Sequence, residues 1–331
     1  MPATCFVTGA TGFVGRHLLP LLAKDHALRL LLRPGQTLDG VSGLAHERVD
    51  GRIADLDALA AGCRGATVVV HLAALVSFRN EDRDAMFAAN AVASGAVAAA
   101  ARKAGVQRML HVSTISAVAY RDRPEPVDEN APFNFGPLRI GYCDSKFAAE
   151  RAVLAECKRG LDVVIVNPPS MYGAGDRRKG DGSLLTAVLG GRIKLAPPGG
   201  LNVASVDDVC AGMLAALARG RSGERYILGG ENLTGHELLA RIARITGGHC
   251  PHRTAPRRLL GAAARALHWK ERWLGSGGPV TSQILQLADR FLWFSSAKAA
   301  RELGWRAGSV DAGIAAACRE LQQAAAHRAS S

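Results

Sequence analysis

A chain of 331 residues is long enough to bury a large core and to carry an enzyme active site. Its apolar residues, 48% of the total, never form a run of about eighteen, so no obvious membrane span is expected, and the first residues lack the pattern of a secretion signal. The net charge of +12 admits an anionic partner, but the basic residues are dispersed without a nucleic-acid motif, so we expect a cytoplasmic protein that binds no nucleic acid.

The cysteines and the single local cluster of metal-ligating residues argue against a disulfide framework and against a metal site. The seven cysteines are scattered from Cys5 to Cys318 without a Cys-x-x-Cys pair, which indicates reduced thiols. His249, Cys250 and His252 crowd around a proline with no distant fourth ligand, which is poor zinc geometry. We predict no metal.

The front half of the chain alternates short apolar runs with helical patterns. Predicted strands cover 4–8, 27–32, 67–72, 107–113 and 162–166, and predicted helices cover 13–24, 82–104 and 140–159. Runs such as Val68–Val70 are continuously apolar, which is typical of strands covered on both faces. The alternation predicts an α/β fold with a doubly wound parallel sheet of the Rossmann type, whose ligands sit beyond the carboxyl ends of the strands.

Prolines and glycines break this pattern from about Asn167, where a smaller substrate-binding lobe is predicted. Ser205 and Thr234 are predicted to cap helices, and a strand is predicted between them at 225–228. The lobe is therefore expected to be interleaved with the sheet. The predicted division gives a dinucleotide-binding domain at 1–170 with 203–230 returning to the sheet, and a substrate lobe formed mainly by 171–202 and 231–331.

The stretch TGATGFVG follows the first predicted strand and opens the first predicted helix. Gly9, Gly12 and Gly15 allow a tight turn, bring backbone N–H groups against a pyrophosphate and let the helix pack close to the sheet. The positive end of the helix then faces the phosphates. This pattern predicts dinucleotide binding.

The end of the second predicted strand bears on which dinucleotide binds. A carboxylate there would accept hydrogen bonds from the ribose of NAD, whereas this strand runs into Arg33. A guanidinium can pair with the 2′-phosphate of NADP. We predict NADP, with relaxed specificity that includes NAD if Arg33 is only an exposed loop residue.

A second group of polar residues predicts acid–base chemistry. Tyr142 and Lys146 are four residues apart, so they share one face of a helix. A phenol has a pKa near 10 and needs a neighbouring cation to exchange protons near neutrality, which Lys146 can supply. Ser113 and Thr114 end a predicted strand, where a parallel sheet presents its chemistry.

The chain resembles the extended short-chain dehydrogenase/reductase family in five motifs that follow the family's order: TGATGFVG, VVVHLAA, HVST, Tyr142-x-x-x-Lys146 and NPPSMYG. The resemblance implies that Tyr142 is the acid or base, Lys146 its helper and Thr114 the hydroxyl that holds the substrate oxygen. It also implies that Asn90 braces the sheet near the site. The cofactor-binding residues predicted from the glycine pattern and the resemblance are Thr8, Gly9, Thr11, Gly12, Phe13, Val14, Gly15, Arg33, Arg52, Ile53, His71, Leu72, Ala73, Ala74, Asn90, Ser113, Tyr142, Lys146, Asn167, Pro168 and Ser170.

Two departures from the family pattern narrow the expected activity. Members often touch adenine with an acidic residue after the third strand, whereas this chain has Arg52 and Ile53, which leaves Ile53 to pack on adenine and Arg52 as a second candidate for the extra phosphate. The sugar-nucleotide dehydratases follow their threonine with Asp-Glu, whereas Ile115 and Ser116 stand here. Dehydration is therefore not expected.

Within the family, the sequence is similar to dihydroflavonol-reductase-like and 3β-hydroxysteroid-dehydrogenase-like members. It is also similar to epimerase-like members associated with hopanoid synthesis, which share stretches like GERYILGGENLT at 223–234 and FSSAKAARELGW at 294–305. The resemblance implies an NADP(H)-preferring oxidoreductase acting on a carbonyl or alcohol of a hydrophobic cyclic substrate, such as a sterol, triterpenoid or flavonoid. The alternative is a nucleotide-sugar epimerase that keeps NAD tightly bound.

Two helical segments bear on partners. Residues 257–274 interleave apolar and basic residues and predict a basic amphipathic helix that either caps the substrate lobe or lies peripherally on the anionic inner membrane surface. The alanine-rich helix at 85–104 and the helix that carries Tyr142 have small-residue surfaces. Because related family members pair these two helices between subunits, we expect a homodimer.

Overall fold

Two β-sheets and the helices around them make up the fold of the computed structural model, which describes residues 2–38, 43–176, 184–276, 278 and 280–329. The strands are β1 (Ala3–Thr8), β2 (His26–Leu32), β3 (His46–Asp50), β4 (Val68–His71), β5 (Arg108–Val112), β6 (Val163–Asn167), β7 (Ser170–Tyr172), β8 (Gly200–Ser205), β9 (Arg225–Ile227), β10 (Glu231–Thr234) and β11 (Phe291–Leu292). The helices are α1 (Phe13–Leu22), α2 (Leu56–Cys63), α3 (Arg83–Met86), α4 (Ala93–Lys103), α5 (Gly141–Cys157), α6 (Leu184–Leu189), α7 (Val206–Arg219), α8 (Gly235–Thr246), α9 (Arg257–Leu274), α10 (Ser282–Ala288), α11 (Ala297–Leu303) and α12 (Asp311–Ala329). A π-helical turn, Phe87–Val92, joins α3 to α4, and short 3-10 turns lie at Ile115–Ala117 and Gly136–Leu138.

The larger sheet contains seven parallel strands in the order β3-β2-β1-β4-β5-β6-β9. The chain moves from β1 outward to β2 and β3, and then returns to the other side of β1 as β4. Such a reversal of strand order leaves a crevice beyond the carboxyl ends of the strands, which is the usual ligand position in these sheets. The predicted doubly wound parallel sheet is confirmed.

Side chains of the larger sheet pack into a hydrophobic layer on each face. Cys5 and Val7 of β1 belong to the layer that contains α1 and α7, whereas Phe6 between them belongs to the layer that contains α2, α4 and α5. The Phe6 ring fills the space beside Gly62 of α2, where an added Cβ would lie 2.2 Å from it. The continuously apolar strand patterns correctly indicated a sheet covered on both faces.

The smaller sheet is built around β8, which pairs with β7, β10 and β11. Its core includes Val203, Leu239 and Ile314, packed among β8, α8 and α12. Helix α7 packs against strands of both sheets, and β9 returns to the larger sheet, so the smaller lobe is interleaved as expected. The segment predicted to return to the larger sheet began at residue 203, whereas Val203 lies in β8 of the smaller sheet. The division at residue 170 stays a prediction.

The two predicted helix caps differ in the structure. Thr234 forms a complete capping box, because its hydroxyl accepts from the Glu237 backbone N–H while the Glu237 carboxylate accepts from the Thr234 backbone N–H. Ser205 precedes α7 but its side chain makes no capping hydrogen bond. Ser205 is also the last residue of β8, paired with Tyr172, so the strand determines its position.

The continuous helix from Arg83 to Lys103 is long and apolar enough, by length and composition, to cross a membrane. No membrane span was expected from the sequence, because no uninterrupted apolar run approaches about eighteen residues. In the structure this helix packs against α2 and α5, where Val97, Ala98 and Ala101 are buried. Its position is that of a helix that covers the larger sheet.

Candidate active site

The glycine loop joins β1 to α1 at the reversal point of the larger sheet. Gly9 adopts a φ of +77°, and its carbonyl accepts a hydrogen bond from the Gly12 N–H at 3.0 Å, which closes the turn. A Cβ on Gly9 would lie 2.5 Å from the Ala73 nitrogen, and one on Gly15 would lie 2.2 Å from the Ala10 carbonyl oxygen. Helix α1 begins without a side-chain cap, so its first N–H groups are available to an anion.

A cavity of about 480 Å³ lies over this loop. Its volume is in the range of small-ligand and cofactor sites. Twelve predicted cofactor residues line it: Gly9, Thr11, Gly12, Phe13, Val14, Gly15, Arg33, Arg52, Ile53, Leu72, Ala73 and Ala74. Five further lining residues were not predicted: Leu31, Gln36, Gly51, Leu75 and Ala89. The glycine cradle, the exposed helix N-terminus and the volume fit a dinucleotide.

The rim of the cavity beyond β2 is basic. Arg33 and Arg52 both line it, and none of the described lining residues is acidic. The Gln36 side chain donates to the Thr11 hydroxyl at 2.8 Å, which ties the loop after β2 to the glycine loop. Arg48 holds the same loop from outside by donating to the carbonyls of Arg33 and Gln36. The described lining of this rim is therefore basic and contains no carboxylate.

Thr8 and His71 have no exposed surface in this structure, and their contact with a cofactor stays a prediction. The Thr8 hydroxyl and His71 Nδ1 lie 2.6 Å apart, and His71 Nε2 lies 2.9 Å from the Ser94 hydroxyl. Burial, aided by the nearby Lys146 charge, lowers the pKa of His71 to about 3. The two side chains support the cavity wall from behind.

His111 lies beside His71, with ring centroids 5.3 Å apart in a stacked arrangement. Its side chain is completely buried, and neither ring nitrogen has a hydrogen-bond partner in the described part of the chain. Burial holds the pKa of His111 well below its usual value, and the charge of Lys146 acts in the same direction. Both imidazoles are therefore neutral in the folded protein at physiological pH.

Helix α5 carries Tyr142 and Lys146 toward the end of β5. Tyr142 is half-buried, and the ring of Phe78 meets its ring edge-on with centroids 5.7 Å apart. Lys146 is almost fully buried, and its Nζ donates to the Val112 carbonyl at 2.9 Å. Burial lowers the pKa of Lys146 to about 8, although the Glu150 carboxylate acts in the opposite direction.

Glu150, one turn further along α5, is a buried carboxylate that sequence reasoning missed. It accepts from Asn167 Nδ2 at 2.7 Å, and Arg225 of β9 lies 3.4 Å from its other oxygen. Burial raises the pKa of Glu150, and Arg225 and Asn167 oppose that rise. The four-residue spacing of Tyr142, Lys146 and Glu150 is the one signal in the sequence that could have identified it.

Thr114, which follows β5, and Asn167, the last residue of β6, lie together. Asn167 also donates to the Thr114 carbonyl at 2.8 Å, so one amide fixes both Thr114 and Glu150. The Thr114 hydroxyl accepts from the Ser116 N–H at 3.2 Å and starts the following 3-10 turn. The predicted residue Asn167 therefore acts as a brace between strands in this structure.

Asn90 fixes the wall of the cavity to α5, the helix that carries Tyr142. Its side chain exchanges two hydrogen bonds with the backbone of Leu75 and donates to the Ser145 hydroxyl at 3.0 Å. The prediction that Asn90 braces this region agrees with these contacts, and its contact with a cofactor stays a prediction. Three other predicted residues lie nearby: Ser113 is buried at the end of β5, Pro168 follows β6, and Ser170 begins β7.

A parallel sheet with a glycine loop at its reversal point, and a Tyr-Lys helix beside it, define a Rossmann-type dinucleotide-binding protein. The model of the NAD dependent epimerase/dehydratase family matches residues 5–229, and the chain belongs to this family. Membership of the extended short-chain dehydrogenases/reductases, predicted from the motifs, is confirmed. The chain is an enzyme of this superfamily, of the oxidoreductase type.

Relatives of known name are similar over most of the chain. Sterol demethylase protein B of Methylococcus capsulatus is 34% identical over 78% of this chain and 79% of its own length. A 4-hydroxy-2-methyl-3-oxo-4-farnesyl-3,4-dihydroquinoline-1-oxide ketoreductase of Stigmatella aurantiaca is 32% identical over 92% of each chain. Among solved structures, gox2253 is 32% identical with a TM-score of 0.85, covering 97% of this chain and 98% of that one.

Proposed function

We propose that the protein transfers hydride between a nicotinamide dinucleotide and a carbonyl or alcohol of a hydrophobic cyclic substrate, such as a sterol, triterpenoid or flavonoid. The observation that carries the proposal is the junction of α5 with the end of β5, where buried Lys146 is fixed to the backbone two residues before Thr114. The names of the sterol demethylase and ketoreductase relatives support a substrate of this class.

The chemistry divides among three side chains of the site. A bound nicotinamide supplies the hydride donor or acceptor. During reduction Tyr142 gives a proton to the carbonyl oxygen, and during oxidation it takes that proton back. The Thr114 hydroxyl orients the same oxygen, and the Lys146 ammonium stabilises the phenolate form of Tyr142. The remainder of the pocket supplies orientation.

The test is turnover by Tyr142→Phe, which removes the acidic proton but keeps the ring. The wild-type protein is first screened with NADPH and NADH against sterol ketones, aromatic ketones and nucleotide sugars. With the substrate so identified, we expect the variant to lose about a hundredfold or more in kcat while its cofactor affinity, measured by fluorescence, is retained. Undiminished turnover by this variant would remove Tyr142 from the proposed chemistry.

We propose NADP as the preferred cofactor of this NAD-dependent family member. The support is the basic rim, where Arg33 and Arg52 line the cavity without a carboxylate among the described lining residues. A guanidinium at this position favours the extra phosphate of NADP.

A nucleotide-sugar epimerase is the second candidate, because the matched family model is defined partly by epimerases. Such an enzyme oxidises and reduces the same molecule, so it keeps its cofactor. Cofactor that remains with the purified protein and does not exchange with added labelled NAD would favour the epimerase.

We also propose that the protein is a cytoplasmic homodimer, with a peripheral contact to the inner membrane surface through residues 257–274. The dimer is supported by the alanine-rich surface of the helix from Arg83 to Lys103, on which Val92 is 71% exposed. The membrane contact is supported by the exposure of α9.

A further inference from the structure

Helix α9 has an apolar face that no described part of the chain covers. At 100° per residue, Ala262, Ala266, Trp269 and Trp273 fall on one side of the helix, with Leu259 beside them. These five residues, here called the outer face, are all exposed, and the two tryptophans are 69% and 71% exposed with ring centroids 6.2 Å apart. Large aromatic side chains are usually withdrawn from water, so an exposed pair marks a contact surface.

Basic side chains border the outer face on both sides. Arg258, Arg265 and Arg272 are seven residues apart and form a stripe along one edge, and Lys270 lies on the other edge. All four are exposed, and none forms an ion pair among the described residues. Tryptophan and leucine between arginine and lysine are the composition of a helix that lies in the headgroup region of an anionic bilayer.

The opposite face of α9 fixes the helix in this orientation. Glu271 is buried, and its carboxylate accepts from the backbone and hydroxyl of Ser282 and from Asn80 Nδ2 at 3.1 Å. Just beyond the helix, Ser276 donates from its backbone and hydroxyl to the Glu81 carboxylate. These contacts keep the outer face turned away from the protein.

The same contacts connect α9 to the catalytic centre. Asn80 and Glu81 belong to the segment 75–82, which follows the cavity wall and includes Phe78, the ring packed against Tyr142. Leu75 and Val76 in this segment are 37% and 42% exposed. The segment therefore lies between α9 and Tyr142. Its end at Leu75 and Val76 is apolar and exposed.

We propose that the outer face of α9 lies on an anionic bilayer, and that the substrate enters the site from that bilayer past the segment 75–82. The proposal rests on the proposed function, because it assigns a membrane-dissolved carbonyl or alcohol compound to the Tyr142 site. The net charge of +12 and the unpaired basic border of the outer face are complementary to anionic lipid headgroups.

Vesicle flotation tests the docking without any substrate. The full chain is mixed with vesicles of phosphatidylcholine alone, or of phosphatidylcholine and phosphatidylglycerol in equal parts. We expect flotation with the anionic vesicles only. Trp269→Ala/Trp273→Ala and Arg258→Glu/Arg265→Glu are each expected to weaken binding about tenfold or more. The controls Leu56→Ala and Lys24→Glu/Lys158→Glu, which change exposed residues outside α9, are expected to bind as the wild type does.

Hydrogen exchange tests the entry path. On anionic vesicles, slower amide exchange is expected in α9 and in 75–82, while α2 keeps its rate. Absence of flotation, undiminished binding by the tryptophan variant, or protection confined to α9 would each overturn the proposal. A change of oligomeric state in the tryptophan variant without lipid would show that the outer face binds a second copy instead. Turnover of soluble ketones without vesicles tests the proposed function separately.

Discussion

Lys146 and Glu150 face the same buried region from successive turns of α5, and each alters the proton affinity of the other. Burial lowers the pKa of Lys146 to about 8, and the Glu150 carboxylate acts to raise it. Lys146 is thus an ammonium below about pH 8 and loses its charge above it. In the proposed mechanism Glu150 is a positioning residue, which acts on Tyr142 through Lys146.

Replacing Glu150 with glutamine should therefore change the pH profile. Without the carboxylate the pKa of Lys146 falls further, so the loss of turnover at high pH should move about one pH unit lower. The measurement is kcat against pH. Glu129→Gln changes a buried carboxylate that bonds to Ile227, away from Lys146, and should leave the profile in place. An unmoved profile in a folded Glu150→Gln protein would contradict the coupling.

A second prediction concerns the side chain of Arg33. In the described structure its guanidinium makes only a long hydrogen bond, 3.4 Å from Nε to Gln36, so it is available to a phosphate. We expect Arg33→Ala to lower kcat/KM with NADPH by about tenfold to a hundredfold, with little change for NADH, because NADH lacks the 2′-phosphate. Equal losses with both cofactors would place Arg33 outside phosphate recognition.

The sequence predicted the residues whose chemistry is local. Tyr142 and Lys146 follow from helical spacing, and the glycines follow from their position between strand and helix. Arg225 could not be found in this way, because it lies 75 residues from Glu150 along the chain and reaches it only through the adjacency of β6 and β9. His71 was expected on the cavity wall because its motif resembles the family's, and only the packing of Thr8 and Ser94 shows that its side chain is buried behind that wall.

Helix α8 shows how a short signal fixes the start of an element. Thr234 and Glu237 satisfy each other's backbone N–H groups, and Gly247 ends the helix in the left-handed conformation with a φ of +72°. The start of α8 at the predicted cap residue Thr234 agrees with the structure for this reason. Ser205, also a residue that favours N-cap positions, makes no side-chain cap although its backbone is extended.

Substitutions at Thr234 and Ser205 should show which of the two side chains stabilises the start of its helix. Thr234→Ala should reduce the free energy of unfolding by about 1 kcal/mol, and Thr234→Ser should restore most of it. Ser205→Ala should change it by less than about 0.5 kcal/mol, since its side chain makes no cap. Urea denaturation measures all three. A larger loss at Ser205 than at Thr234 would contradict the assignment.

At the scale of the whole molecule, the two lobes exchange segments. The chain passes from β6 of the larger sheet to β7 of the smaller, and from β8 through α7 back to β9. Composition predicted where the second lobe begins, since prolines and glycines interrupt the pattern, and that division stays a prediction. It could not show which strand pairs with β8, because β11 lies about ninety residues further along the chain and pairing is set by tertiary packing.

The proposed homodimer can be tested by its mass in solution. If the helix from Arg83 to Lys103 lies at the subunit interface, light scattering should give about twice the chain mass of 34.7 kDa. Val92→Glu would place a charge on the apolar surface and should produce monomers. Leu56→Glu, at an equally exposed position on α2, is the matched control. A monomeric wild type at working concentrations would end this proposal.

The stacked pair of His71 and His111 has a consequence for the whole protein in acid. An unfolded imidazole takes up a proton near pH 6.5, but burial keeps both rings neutral in the fold, His71 down to about pH 3. The unfolded state thus binds more protons, and stability should fall by about 1.4 kcal/mol per pH unit for each ring as the pH drops below 6.5. Denaturation midpoints between pH 7 and 4 measure this slope, and His111→Phe, which keeps a buried ring, should flatten it. An unchanged slope would assign the acid sensitivity to other groups. A flattened slope would instead mean that the two buried rings near Lys146 limit the acid range in which the protein stays folded.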